Sequence, residues 1–107
     1  MAAADYALPK TPANFAALTP LSMLARTAAV HPDRLAVVHG ARCYSWAQVA
    51  ERCTRLGAAL AASGVGIGDT VAIMAPNVPE LFEAHFGVAI AGGVLNALNT
   101  RLDAASI

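Results

Sequence analysis

Three observations in the 107-residue sequence predict an α/β fold with a β-hairpin, packing helices and a parallel β-α-β unit. Two short β-like runs flank Gly40-Ala41, the arrangement of a hairpin. Val49, Cys53, Leu56 and Leu60 recur at the spacing of a helix with one buried face. A continuous apolar run, Thr70 to Ala75, is followed by an apolar helical stretch and a further β-like run, an alternation that implies parallel strands.

In chain order, residues 1–18 hold Pro9 and Pro12 without a clear period and predict an extended N-terminal arm. Residues 19–107 read as part of one domain. Thr19 is placed to cap a helix, with Pro20 in the first turn, where its missing N–H costs nothing. Leu21, Leu24, Ala25 and Ala28 follow at helical spacing, and Pro32 ends the element. Leu35 to His39 and Arg42 to Ser45 are the hairpin strands. Ser45 and Gln48 form a capping box for the next helix. Its wet face is expected to hold Gln48, Glu51, Arg52 and Arg55, with Glu51 and Arg55 one turn apart. Gly64 is expected to end it as a left-handed residue. The run Thr70 to Ala75 then reads as a strand covered on both faces. Asn77 and Glu80 give an N-x-x-E helix start, with Asn77 as the cap. The helix carries Leu81, Phe82, Phe86, Val88, Ala89 and Ile90, so apolar groups surround much of it and place it inside a protein. Gly92-Gly93 stop it before a strand from Val94 to Leu98. Asn99 to Asp103 resembles a strand-to-helix turn, and Asp103 to Ile107 a first helical turn. An isolated turn of helix does not hold, because nucleation without propagation is unfavourable. The expectation is therefore a chain truncated relative to a longer working product.

Composition bounds the function. Basic and acidic residues balance to a net charge of zero, which argues against nucleic acid or an anionic membrane as partner. Charged residues make up only 13% and apolar ones 57%. A domain this small has too much surface to bury that content well alone. A missing partner surface or an alanine-rich bias of the genome both account for it. Cys43 and Cys53 form neither a disulfide framework nor a metal set, and read as buried free thiols suited to a reducing cytosol. Met1 to Lys10 lacks a signal-peptide core, and the longest apolar run, between His85 and Asn96, falls short of the roughly 20 residues that span a bilayer. A soluble cytoplasmic protein is expected.

The chemical motifs are sparse. Gly64-Val65-Gly66-Ile67-Gly68 follows a helix and opens a strand, whereas a dinucleotide-binding loop does the reverse. It reads as a helix-ending turn, with Asp69 as a turn residue. Pro76-Asn77 lies at the carboxyl end of a predicted strand, where α/β sheets bind ligands, but helix capping explains Asn77. His31, His39 and His85 have no ligand-like spacing. His85 reads as a satisfied interface histidine and His39 as exposed beside the turn. Ser22, Ser45 and Ser63 lack a nucleophile-elbow setting. Tyr44 and Trp46 are too isolated for a stacking platform, and no phosphate-cradling loop with a lysine occurs. No catalytic, cofactor-binding or metal-ligating residue is assigned.

The ordered segments nevertheless resemble a known family. They are Thr19-Pro20-Leu21-Ser22, Pro32 to Val38, Tyr44-Ser45-Trp46, Gly66 to Ala72, Met74 to Glu80, Ala84 to Val88, and Gly92 through Asn96 to Leu102. The chain resembles the N-terminal part of AMP-forming acyl-CoA synthetases, of the adenylate-forming superfamily, and its tail is most similar to the medium-chain acyl-activating branch. The resemblance implies ATP-dependent carboxylate adenylation followed by thioester formation with coenzyme A. ATP, Mg²⁺ and coenzyme A are implied for the full-length family, with none bound by this stretch, because the family's catalytic motifs lie outside residues 1–107. It implies an inactive fragment, partnered by the remainder of the synthetase chain, with a homodimer among full-length forms. The other reading is a non-enzymatic docking module whose helix Leu81 to Ile90 meets a partner chain. A small dinucleotide-binding protein is the third, resting on the misplaced glycines alone.

Overall fold

The computed structural model describes residues 9–107; the first part of the expected arm lies outside them. Seven elements follow: α1 (Pro20–Val30), β1 (Leu35–His39), β2 (Arg42–Ser45), α2 (Trp46–Ala62), β3 (Thr70–Ile73), α3 (Pro79–Ile90) and β4 (Val94–Ala97). The strands β1 and β2 form an antiparallel hairpin, and β3 and β4 pair in parallel across α3. The α/β class and the β-α-β unit are as expected.

Local chemistry explains the helix starts. Thr19 caps α1 through its hydroxyl and Ser22 returns the bond, a capping box with Pro20 in the first turn. Ser45 and Gln48 do the same for α2. Each box satisfies N–H groups that a helix end leaves without partners. At the other end of α2, Gly64 adopts φ 96°, the left-handed region expected of a helix-ending glycine.

Helix α3 corrects the expected start. Its cap residue is Val78, without a side-chain bond, and Pro79 takes the first helical position. A residue before proline is forced out of the helical region, and Val78 sits at φ −118°, ψ 162°. That shifts the boundary one residue past Asn77, so Asn77 does not cap.

Two strand expectations also change. Strand β3 ends at Ile73 rather than Ala75, and β4 at Ala97 rather than Leu98. Nor is β3 covered on both faces: Val71 and Ile73 are half-buried, whereas Thr70 and Ala72 are exposed. Among the described residues its sheet has two strands, so one face meets helices and the other meets none. In the arm, Asn14 makes a local turn, its carboxamide oxygen accepting from the Thr11 N–H at 2.8 Å. Past β4, Asp103 accepts from the Ser106 N–H at 2.9 Å and closes the expected turn without a continuing helix.

The core joins α1, α2 and the hairpin. Leu24, Val49 and Cys53 are buried, flanked by Val37, Tyr44, Trp46 and Phe86. Cys53 is buried as expected, but Cys43 is exposed. Its strand alternates faces, and Cys43 falls between half-buried Arg42 and Tyr44 on the outer one. Burial pushes the Cys53 thiol up to about 11.

The closest helix packing is between α2 and α3. A side chain at Gly57 would meet Ile90 Cγ2 at 2.5 Å, and one at Gly87 would meet Leu56 Cδ2 at 2.6 Å. Each helix thus offers a glycine to the other's aliphatic branch, which lets the backbones approach closely.

Candidate functional site

The polar groups that converge are three arginine–carboxylate pairs on β2, α2 and α3. Arg42 donates to both carboxylate oxygens of Glu80, at 2.6 and 3.2 Å. Arg52 donates through Nε and Nη2 to the two oxygens of Glu83, the latter bond at 3.2 Å. Arg55 donates to Glu51 at 2.6 Å, one helical turn away, as expected from the spacing. Arg52 was expected on the wet face, but it bridges to α3, with its guanidinium 4.6 Å from the centre of the Tyr44 ring.

These pairs differ in environment. Glu83 is 5% exposed, and burying a carboxylate is costly unless it is paired and hydrogen-bonded. The two-toothed guanidinium supplies both conditions, and the bond to Glu83 raises the Arg52 pKa. Glu80 is exposed, and the hydrogen bond from Arg42 lowers its carboxyl to about 2. No sequence signal marks Arg52–Glu83 or Arg42–Glu80, because their partners are 31 and 38 residues apart.

Two open grooves flank this network. The first, about 660 Å³, lies between β1 and the start of α3. It is lined by Val37, His39, Asn77, Phe82, His85 and Phe86 among others, with Phe82 and Phe86 edge to face at 5.3 Å. The second, about 480 Å³, runs between α2, α3 and β3. Its floor includes Leu56, Leu60, Ile73 and Val88, with Arg55 and Glu80 among its charged residues.

The residues weighed from sequence serve structural ends. The His85 ring nitrogen Nδ1 bonds the Leu81 carbonyl at 2.8 Å within its own helix. His39 is exposed beside the turn. Ser22 and Ser45 are spent on caps, and the Ser63 hydroxyl donates to the Ala59 carbonyl. The glycine-rich turn leads from α2 into β3, with the Gly66 N–H bonded to the Asp69 carboxylate at 2.8 Å. Asn77 lines the first groove without capping.

A polyphosphate or divalent-cation site does not fit these residues. The groove arginines are each neutralised by a carboxylate. Among the described residues, no three His, Cys, Asp or Glu side chains gather to hold a metal, and no buried side-chain polar atom lacks a partner. No helix among them is long and apolar enough to cross a membrane.

Residues 24–107 match the sequence profile of the family described as AMP-binding enzyme. The chain belongs to that family. Over 100 residues, 94% of the chain, this AMP-binding family member is 56% identical to the peroxisomal acetate/butyrate–CoA ligase of Arabidopsis thaliana. It is 53% identical over the same extent to an acetate–CoA ligase of Humulus lupulus. In both comparisons it spans 18% of the relative's length. A fatty acyl CoA synthetase of Mycobacterium tuberculosis shares the fold with a TM-score of 0.73 and 34% identity, over 78% of this chain and 17% of that one. The O-succinylbenzoate coenzyme A synthetase of Bacillus subtilis, solved with AMP, gives a TM-score of 0.71 and 30% identity, over 75% and 21%. Sequence and fold both support the resemblance to acyl-CoA synthetases drawn from the ordered segments.

Proposed function

We propose that these residues scaffold part of the N-terminal domain of an acyl-CoA synthetase, with residues 1–18 as an arm and residues 19–107 within the AMP-binding domain. The synthetase joins a carboxylate to the AMP moiety of ATP, releasing pyrophosphate, and passes the acyl group to coenzyme A. The observation that carries this reading is the 56% identity over 94% of the chain to a ligase named for acetate and butyrate. The stretch itself contributes packing surfaces and is inert alone, consistent with arginines already paired and serines already spent on caps.

The substrate proposed is a short-chain carboxylate, shorter than the medium-chain acids expected from the tail. Its support is the higher identity to the two ligases named for acetate than to the Arabidopsis benzoate–CoA ligase, at 45%. A cytoplasmic location belongs to the same proposal; several relatives are named as peroxisomal, and cell fractionation decides between the two compartments.

The test is ATP–pyrophosphate exchange by the native polypeptide that carries these residues, with acetate, butyrate, octanoate and benzoate. Exchange is expected with the first two, and none from the 107-residue chain alone. Absence of exchange with every acid overturns the enzymatic reading. A non-enzymatic docking module, with Phe82 and Ile90 exposed on its helix Leu81 to Ile90, then takes its place.

A further inference from the structure

Two hydroxyl side chains stand directly before a proline, Thr11 and Thr19. They share that local chemistry and differ in what holds them. The Thr19 hydroxyl accepts from the Ser22 N–H at 3.1 Å, and the Thr19 N–H donates to the Ser22 hydroxyl at 2.9 Å, with Pro20 already inside α1. Freeing Thr19 undoes the start of a helix. Thr11 caps no helix. Its hydroxyl donates to the Asn14 carboxamide oxygen over 3.3 Å, a long bond, and that oxygen already takes the Thr11 N–H at 2.8 Å. The Asn14 and Phe15 N–H groups bond the Thr11 carbonyl, and the Asn14 side chain bonds the Pro9 carbonyl, so the turn is closed within residues 9–15. Residues 9–20 are all exposed. Hydroxyls elsewhere are less free: those of Thr27, Thr54 and Ser63 each donate to the carbonyl one helical turn back.

Proline after a hydroxyl matters in two ways. It brings no N–H, and it keeps the residue before it out of the helical region. An enzyme that grips an extended segment with no donor behind the target hydroxyl finds both conditions at Thr11, at the cost of one local turn. We propose that Thr11 is a phosphorylation site for a proline-directed protein kinase. Thr11 Oγ1 attacks the γ-phosphorus of ATP, the bond from that phosphorus to the β,γ-bridging oxygen breaks, ADP leaves, and the hydroxyl proton passes to the kinase's general base. The product has lost the proton that Asn14 accepted and carries about two negative charges beside the same oxygen, which opens the turn. Lys10, the only lysine in the sequence, has its ammonium 4.5 Å from the centre of the Phe15 ring. A phosphate on the next residue attracts that ammonium more strongly than an exposed ring does, so Lys10 exchanges Phe15 for the phosphate. Thr11 is a target whatever the chain catalyses, since arm residues alone are involved.

The test uses the native polypeptide that carries these residues, treated with phosphatase and then with ATP, Mg²⁺ and a purified cyclin-dependent kinase. Fragment mass spectrometry locates phosphate within residues 11–26, the tryptic peptide that holds both threonines. Phosphate is expected on Thr11 and not on Thr19. Thr11→Val should abolish it, Pro12→Ala should slow its addition at least tenfold, and Thr19→Val should leave it in place. Acetic anhydride should then acetylate Lys10 at least threefold more slowly than before the kinase acted. The same peptide isolated from source cells under phosphatase inhibition is expected to carry phosphate on Thr11. Phosphate on Thr19 in place of Thr11, none on either, or a rate that Pro12→Ala leaves unchanged overturns the site. A Thr11 that takes phosphate from the purified kinase but carries none in cells overturns its use there. Phosphorylation that leaves Lys10 acetylation unchanged overturns the exchange of partners.

Discussion

The seam between α2 and α3 and the sheet of β3 and β4 lie side by side but have opposite characters. Along the seam, reciprocal glycines admit Ile90 and Leu56, and Arg52 closes on a buried Glu83. Every buried polar side chain described there has a partner. The sheet has a bare face, with Thr70, Ala72 and Val94 exposed. The difference teaches that the helices are packed by residues of this stretch, whereas the strands keep one face that none of the described residues covers. Substitutions should therefore be costly on the seam and cheap on the bare face.

The largest effect is expected at Glu83. Glu83→Ala strands the Arg52 guanidinium and opens a buried gap, and should destabilise the fold by about 2–4 kcal/mol. Arg52 is partly exposed, which keeps the figure below that of a fully buried pair. Urea unfolding measures it, and a loss under about 0.5 kcal/mol would make the pair incidental. Next comes Gly87→Ala. The new methyl would lie 2.7 Å from Leu56 Cγ, well inside contact distance, and should cost about 1–3 kcal/mol in the same assay. On the bare face, Val94→Thr should shift stability by no more than about 0.5 kcal/mol, since Val94 is already half in water. A larger loss there would show that the face is covered.

The smallest effect concerns acid. Arg42 holds the Glu80 carboxyl at about 2, below its ordinary 4.5. A lowered carboxyl stabilises the fold above its unfolded value and loses that contribution as pH falls from about 4.5 towards 2. Glu80→Gln should flatten the acid limb of stability over that window, by an amount that salt reduces because the pair is exposed. An unchanged acid limb in low salt would remove Arg42–Glu80 from the account.

What could be read in the sequence was set within a few residues of chain. The boxes at Thr19–Ser22 and Ser45–Gln48, the turn at Gly64 and the Glu51–Arg55 pair depend on neighbours one turn away. Asn77 misled because the same stretch carries a second local rule. Pro79 forces Val78 into an extended conformation, and the helix starts one residue late. Arg52 was illegible for another reason. Its position on α2 follows from helical spacing, but its partner arrives from α3 only once the helices have packed. Cys43 shows the same limit, since the hairpin's exposed face is chosen by what α1 and α2 cover. The family could be read without a site because the order of many weak segments is specific even where none carries chemistry.

The unequal burial of the two cysteines has a practical consequence. With Cys53 enclosed and its thiol pushed up to about 11, a maleimide dye at neutral pH should attach at Cys43 alone. The molecule also has one tryptophan, Trp46, which packs against the core just beyond the end of β2. A native fluorophore and a natural attachment point thus flank Ser45 at the hairpin's base. Light emission can follow that corner of the molecule without any engineered residue.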